Sequence, residues 1–297
     1  MEAWSRIVER VERLLPMLED LLRGLTGAAP EAGFFDSARA FRWDVSRGPG
    51  RLVAIPKPAH FDMEDLLGVE KPLERLVENT EQFLAGLPFN HVLLYGERGT
   101  GKSSAARGLL ARYEARGLRL VEVKREDLVQ LPSVLAALRA GREHHFLLFC
   151  DDLSFGNDER GFRELKAALE GSLEEPPSNV CLVATSNRRH LVPESMDENR
   201  QAKVDRSGEL HVGEALNEKL ALSDRFGLVL GFHGFSQETY LAIVSRYIEQ
   251  AGVDFGVDGV REEALAWALR RGSRSGRTAR QFVDDCVGRH RLRQRND

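Results

Sequence analysis

The sequence predicts an α/β fold, a parallel sheet covered by helices on both faces and followed by a helical segment, from three observations. A Gly-rich loop containing a lysine follows directly on the apolar run at residues 92–95. Five short apolar runs alternate with helical stretches from Asp62 onward, the rhythm of a parallel sheet. Past Gly234 only helical periodicity remains. With 297 residues and 42% hydrophobic content, the chain has ample material for a core.

Taken in order, Trp4, Val8, Val11, Leu15, Leu18, Leu22 and Leu25 recur at steps of four and three, an apolar helical seam interrupted by Pro16. A seam this short is expected to dock on its own domain rather than to form a coiled coil. Phe41-Arg42-Trp43, the turn Arg47-Gly48-Pro49-Gly50 and the run 52–55 suggest a β-hairpin leading into the main domain. Strands are predicted at 92–95, 118–123, 146–150, 180–184 and 228–230, and helices of a terminal bundle at 237–250, 262–271 and 279–291. Residues 193–213 are polar, charged and poor in apolar side chains, the mark of an exposed insertion. Cys150 and Cys181 lie in apolar runs, and no metal-ligand spacing links them to Cys286.

Chemistry enters at Gly96-Glu97-Arg98-Gly99-Thr100-Gly101-Lys102-Ser103-Ser104. The glycines let successive N–H groups turn inward around a triphosphate, Lys102 reaches the β/γ-phosphates, and the Ser103 hydroxyl can ligate Mg²⁺. A helix beginning at Lys102 would add its positive N-terminus. The strand 146–150 then ends in Asp151-Asp152. Asp151 is expected to organise Mg²⁺, and Asp152 to orient or deprotonate the attacking water. A nucleoside triphosphate and Mg²⁺ are therefore the expected ligands. The expected organisation is an N-terminal helical and hairpin extension at 1–58, an α/β nucleotide-binding domain at 59–232 and a helical lid at 233–297.

The strand at 180–184 runs on to Thr185-Ser186-Asn187, and an apolar strand ending in Asn after an Asp-Asp strand resembles sensor 1 of the AAA+ ATPases. Leu222-Ser223-Asp224-Arg225-Phe226-Gly227 resembles the segment of that family that carries the arginine finger. Ser275-Gly276-Arg277-Thr278-Ala279-Arg280-Gln281-Phe282 is similar to sensor 2, with Arg280 the better fit and Arg277 its rival. Asp65-Leu66-Leu67-Gly68-Val69-Glu70 resembles the segment that closes over the adenine. The resemblance implies a five-stranded parallel sheet in the order 5-1-4-3-2 with a helical lid, and Leu67 and Gly68 near the base. It also implies a homo-oligomer, ring or filament, in which Arg225 acts in trans; a finger is worth about 10³–10⁵ in rate in GTPases. In finer texture, residues 65–68, 78–80, 96–104, 150–155, 185–190 and 222–231 look like an uncharacterised AAA+ family, domain of unknown function 815.

The resemblance implies Mg²⁺-dependent ATP hydrolysis at a subunit interface, coupled to remodelling of a protein client. The loop after the second strand, Glu122-Val123-Lys124-Arg125-Glu126-Asp127-Leu128, lacks the aromatic grip of threading unfoldases. An initiator- or loader-like switch acting with nucleic acid is the alternative, as is a weakly hydrolysing ATP-binding scaffold. Net charge is −4, and 193–213 shows neither a basic stripe nor interleaved aromatics, so nucleic acid is not indicated, although arginines crowd residues 270–295. Asp at 152 in place of the family's usual Glu withdraws the carboxylate by a methylene, which predicts a low basal rate. No apolar run is long enough for a signal peptide or a membrane span, so a cytoplasmic location is expected.

Overall fold

The computed structural model describes residues 30–31, 33–46, 48–154, 159–170, 177–188, 203–204, 210–211, 222–253 and 257–296. The apolar seam at residues 4–25 and nearly all of 193–213 lie outside them.

The strands are β1 (Ala40–Asp44), β2 (Arg51–Ala54), β3 (Val92–Gly96), β4 (Leu118–Glu122), β5 (His145–Cys150), β6 (Val180–Ser186), β7 (Lys203–Val204), β8 (Leu210–His211) and β9 (Leu228–Phe232). The helices are α1 (Glu70–Leu84), α2 (Lys102–Tyr113), α3 (Leu131–Arg139), α4 (Glu159–Glu170), α5 (Gln237–Ala251), α6 (Val257–Arg271) and α7 (Gly276–Asn296). The main sheet has seven strands in the order β2-β1-β4-β5-β6-β3-β9, and β7 and β8 pair separately. Read from β9, the five core strands follow the expected order 5-1-4-3-2, all parallel.

Where the structure departs from expectation is the hairpin. β1 pairs antiparallel with β2 and parallel with β4, through Ala40↔Leu120 and Arg42↔Glu122. The sheet is therefore continuous across the expected boundary at 58/59, and the five-stranded expectation is two strands short. The physical reason lies in the aromatic alternation of β1, which leaves Phe41 wholly buried among Phe34 and Phe35 under the sheet, with Phe35 edge-on to Phe146 at 4.6 Å. A separate hairpin would have left this surface in water.

Successive strand residues face opposite sides, so each apolar strand serves two cores. Leu93, Val121, Phe146, Leu148, Cys150 and Leu182 pack with α3 and α4 on one face. Val92, Leu94, Leu147, Phe149, Val183 and Phe232 pack with α1 and α2 on the other. A third core around Tyr240, Ile243, Ala264, Phe282 and Val283 joins α5, α6 and α7. The Ser236 side chain accepts the Thr239 amide and caps α5.

His91, just before β3, accepts the Leu182 amide at Nδ1, 3.2 Å away, and burial pushes its pKa down to about 4. The folded state thus holds a neutral imidazole that the unfolded chain protonates below about pH 6.5. Stability from this group is complete above that pH and falls by about 1.4 kcal/mol per unit toward pH 4. Urea midpoints measured across this window should show a shallower slope for His91→Gln than for the wild type. Phe41→Ala should cost about 3–5 kcal/mol in the same single transition, whereas a hairpin outside the cooperative unit would unfold with little effect on the rest.

Candidate functional site

The site stands at the carboxyl ends of β3, β5 and β6, the end of an open parallel sheet at which ligands bind. After β3 the chain must turn at once into α2. Gly96 has φ 137°, and a Cβ there would lie 1.9 Å from the Phe232 carbonyl oxygen, so only glycine lets β9 close on β3 at this point. Gly99 and Gly101 also take positive φ, 76° and 101°, and carry the loop around to Lys102, the first residue of α2.

The Lys102 ammonium donates to the carbonyls of Gly96 at 2.8 Å and Glu97 at 2.6 Å, and reaches the Asn187 Oδ1 at 3.5 Å. Burial lowers its pKa; Asp151 and Asp152 oppose that shift, while Arg277 and Arg98 add to it. Ser103 donates to the Asp151 Oδ1 at 2.6 Å, and Thr185 donates to the same oxygen at 2.6 Å. Thr185 also accepts the Asp152 amide at 2.9 Å. Asp152 stands at φ 52°, the left-handed region that Asp tolerates better than longer side chains. Its Oδ1 accepts the Asn187 Nδ2 at 2.6 Å. Asn187, one residue past β6, is thus the bridge between Lys102 and Asp152.

The Ser103 hydroxyl and Asp151 carboxylate form a pair of hard oxygen donors. That set fits Mg²⁺, which is held by one or two protein oxygens together with phosphate and water. Among the described residues no group of three or more His, Cys, Asp or Glu could hold a metal by itself.

These side chains line a cavity of about 640 Å³ closed on its other side by the helical segment. The loop end is walled by Arg98, Lys102, Asp151, Asp152 and Asn187, with Arg277 and Arg280 from α7. Apolar side chains complete the lining, Phe61, Leu66 and Leu67 from before α1 and Phe235, Ile243 and Tyr247 from the helical segment. An apolar slot beside a cationic pole suits a planar base joined to a polyphosphate. The lid is tied to the loop by the Gly276 amide, which donates to the Gly99 carbonyl at 2.9 Å.

Of the residues expected from sequence, the phosphate-loop residues 98–104, Asp151, Asp152, Asn187, Leu67, Arg277 and Arg280 line this one cavity. Glu97 instead lies beside Gly234, its carboxylate 2.7 Å from where a Cβ there would stand. Gly68 packs against Thr239 rather than lining the cavity, its amide donating to Glu70 at 2.6 Å. Arg225 is at the opposite end of the sheet. It precedes β9, and β9 runs level with β3 from Val92↔Leu228 to Gly96↔Phe232, so about 13 Å of strand separates it from its own loop. Arg280 lies 5.4 Å from the Tyr247 ring and pairs with Asp284 at 3.0 Å, while Arg277 stands nearer the loop, its Cβ 3.1 Å from a Cβ built at Gly99. Sequence reasoning missed Thr185, Phe61, Phe235, Ile243 and Tyr247. Only Thr185 had a local signal, a hydroxyl two residues before Asn187.

Residues 36–290 match the model of a family described as protein of unknown function DUF815. The curated proteins hold no sequence match. Among solved structures, the RuvB Holliday junction branch migration motor of Thermotoga maritima superposes with a TM-score of 0.50 at 17% identity, over 75% of this chain and 63% of that one. A point mutant of RuvB from the same organism gives a TM-score of 0.51 at 18% identity, again over 75% and 63%. The chain therefore spans less than two thirds of these neighbours' length, and the likeness shows a shared α/β fold with a helical C-terminal part.

Thr185→Val removes the hydroxyl that serves Asp151 and the Asp152 amide without changing side-chain volume. It should lower stability by about 1–3 kcal/mol in urea unfolding. An unchanged midpoint would show that this hydroxyl does not hold the two acids.

Proposed function

The chain belongs to the DUF815 family, and from the site it carries we propose that it is a Mg²⁺-dependent AAA+ ATPase that hydrolyses ATP at a subunit interface to remodel a protein client. The observation that carries this reading is the single cavity in which Lys102, Ser103, Asp151, Asp152 and Asn187 face the lid arginines Arg277 and Arg280 across from an apolar slot.

In this reading the inward-turned loop and Lys102 bind the β- and γ-phosphates, and the lysine exchanges its bonds to the Gly96 and Glu97 carbonyls for phosphate oxygens. Ser103 and Asp151 would hold Mg²⁺, which when bound neutralises charge on the phosphate oxygens. Asp152 accepts a proton from the attacking water, and Asn187 orients that water. Arg277 and Arg280 bring positive charge from the lid to the γ-phosphate. Arg225, remote from its own loop, serves the nucleotide of a neighbouring copy.

In this reading turnover by a single copy is slow. Asp152 reaches a methylene less far than Glu and its Oδ1 is engaged by Asn187, so the two side chains rearrange to bring the free Oδ2 to the attacking water. A neighbour's arginine would favour that rearrangement by drawing the γ-phosphate into place.

Titration with a fluorescent ATP analogue and a phosphate-release assay over a concentration series test the proposal. Wild-type turnover per subunit should rise as the protein assembles. Lys102→Ala should lose binding, and Asp152→Asn should bind normally but release phosphate about 10²- to 10⁴-fold more slowly. Arg225→Ala should bind ATP normally and fail to show the rise with assembly. Turnover that stays flat during assembly, with Arg225→Ala unchanged, would overturn the inter-subunit site.

A further inference from the structure

Among the described residues, an ion pair links the lid to the segment before α1 at the edge of the cavity. Arg246 on α5 donates from Nε to the Asp65 Oδ1 at 2.9 Å, across 181 residues of chain. Asp65 is itself a wall of the cavity and its side chain is only 14% exposed, whereas Arg246 does not line the cavity. On α5, Ile243, Arg246 and Tyr247 fall at i, i+3 and i+4, which places them on one face. Ile243 and Tyr247 wall the apolar slot, and Arg246 reaches past them to Asp65. Tyr247 in turn lies beneath the Arg280 guanidinium, 5.4 Å from ring centroid to carbon.

Resting on the ATP-site reading above, we propose that Asp65 and Arg246 are positioning residues. Their ion pair seats α5 so that Tyr247 both closes the base slot and carries Arg280 toward the phosphates. The lid has a second anchor at the phosphate end, the backbone bond from Gly276 to Gly99. The two anchors divide the work: the Gly276 bond holds the lid against the loop whatever is bound, and the Asp65–Arg246 pair sets the width of the slot that receives the base. The pair therefore governs recognition of the nucleoside and leaves most of the attraction for bare phosphate to Lys102 and the loop. Because Tyr247 links the slot to Arg280, loosening the pair also misplaces a charge needed in the transition state.

A double-mutant cycle with Asp65→Asn, Arg246→Gln and the double variant tests this, read on Kd for a fluorescent ATP analogue, on Kd for inorganic triphosphate by competition, and on kcat. Arg246→Gln should weaken ATP binding about fivefold and lower kcat as well, with a clearly smaller loss of triphosphate affinity. The double variant should lose no more than the worse single one. Additive losses, or equal losses for ATP and triphosphate, would overturn the proposal, since a pair that only stabilised the lid would weaken both ligands alike. Arg246→Lys, which keeps the charge, should recover part of the ATP affinity; no recovery by this variant together with unaltered kcat in Arg246→Gln would also overturn it. Absence of ATP binding by the wild type would instead defeat the ATP-site reading, a result distinct from any outcome of the cycle.

Discussion

The site depends on the Thr185 hydroxyl, which donates to Asp151 and accepts the amide of Asp152. Through that one oxygen the end of β6 is locked to the end of β5, and Ser103 joins from α2 on the same Asp151 oxygen. The lock is available because β6 lies between β3 and β5 in the sheet, with Leu94 opposite Thr185 and Cys150 opposite Ala184. A slip of one residue in β6 would turn Thr185 to the other face and bring Ala184 or Ser186 to the acids. Register in this strand is firmly specified, because all seven of its residues are buried.

Burial of that kind has an electrostatic consequence. Lys102 sits where desolvation works against its charge and two carboxylates work for it, and Arg98 and Arg277 crowd it with like charge. Such a site holds more cation than its own acids compensate, which is the condition for capturing a polyanion. The same crowding explains why Lys102 takes loop carbonyls as partners. Those bonds satisfy its donors without a competing ion pair, so they exchange readily for phosphate oxygens.

The lid completes the cavity from one side only. Its three helices share a core around Tyr240 and Phe282, and Leu67 and Phe235 join that core to the sheet domain. Arg225 does not line the cavity. Its place before β9 puts a full strand between it and the loop.

The sequence by itself determined the elements whose signals are local. The glycine spacing of the loop, the run of apolar strands and the acids at the end of β5 are each contained in about ten residues, and their physical requirements leave few alternatives. The order of the core strands was legible only through family likeness, since periodicity says nothing about which strand lies beside which. Tertiary structure alone decided that the hairpin belongs to the sheet, because β1 meets β4 by way of contacts 80 residues apart in the chain. It also decided that Asp65 pairs with Arg246, that Gly68 packs against Thr239 rather than lining the cavity, and that Phe61, Phe235, Ile243 and Tyr247 line one cavity. These side chains read in sequence as ordinary core or surface residues. What gives them a role is convergence from distant segments, and convergence depends on packing that no local pattern encodes.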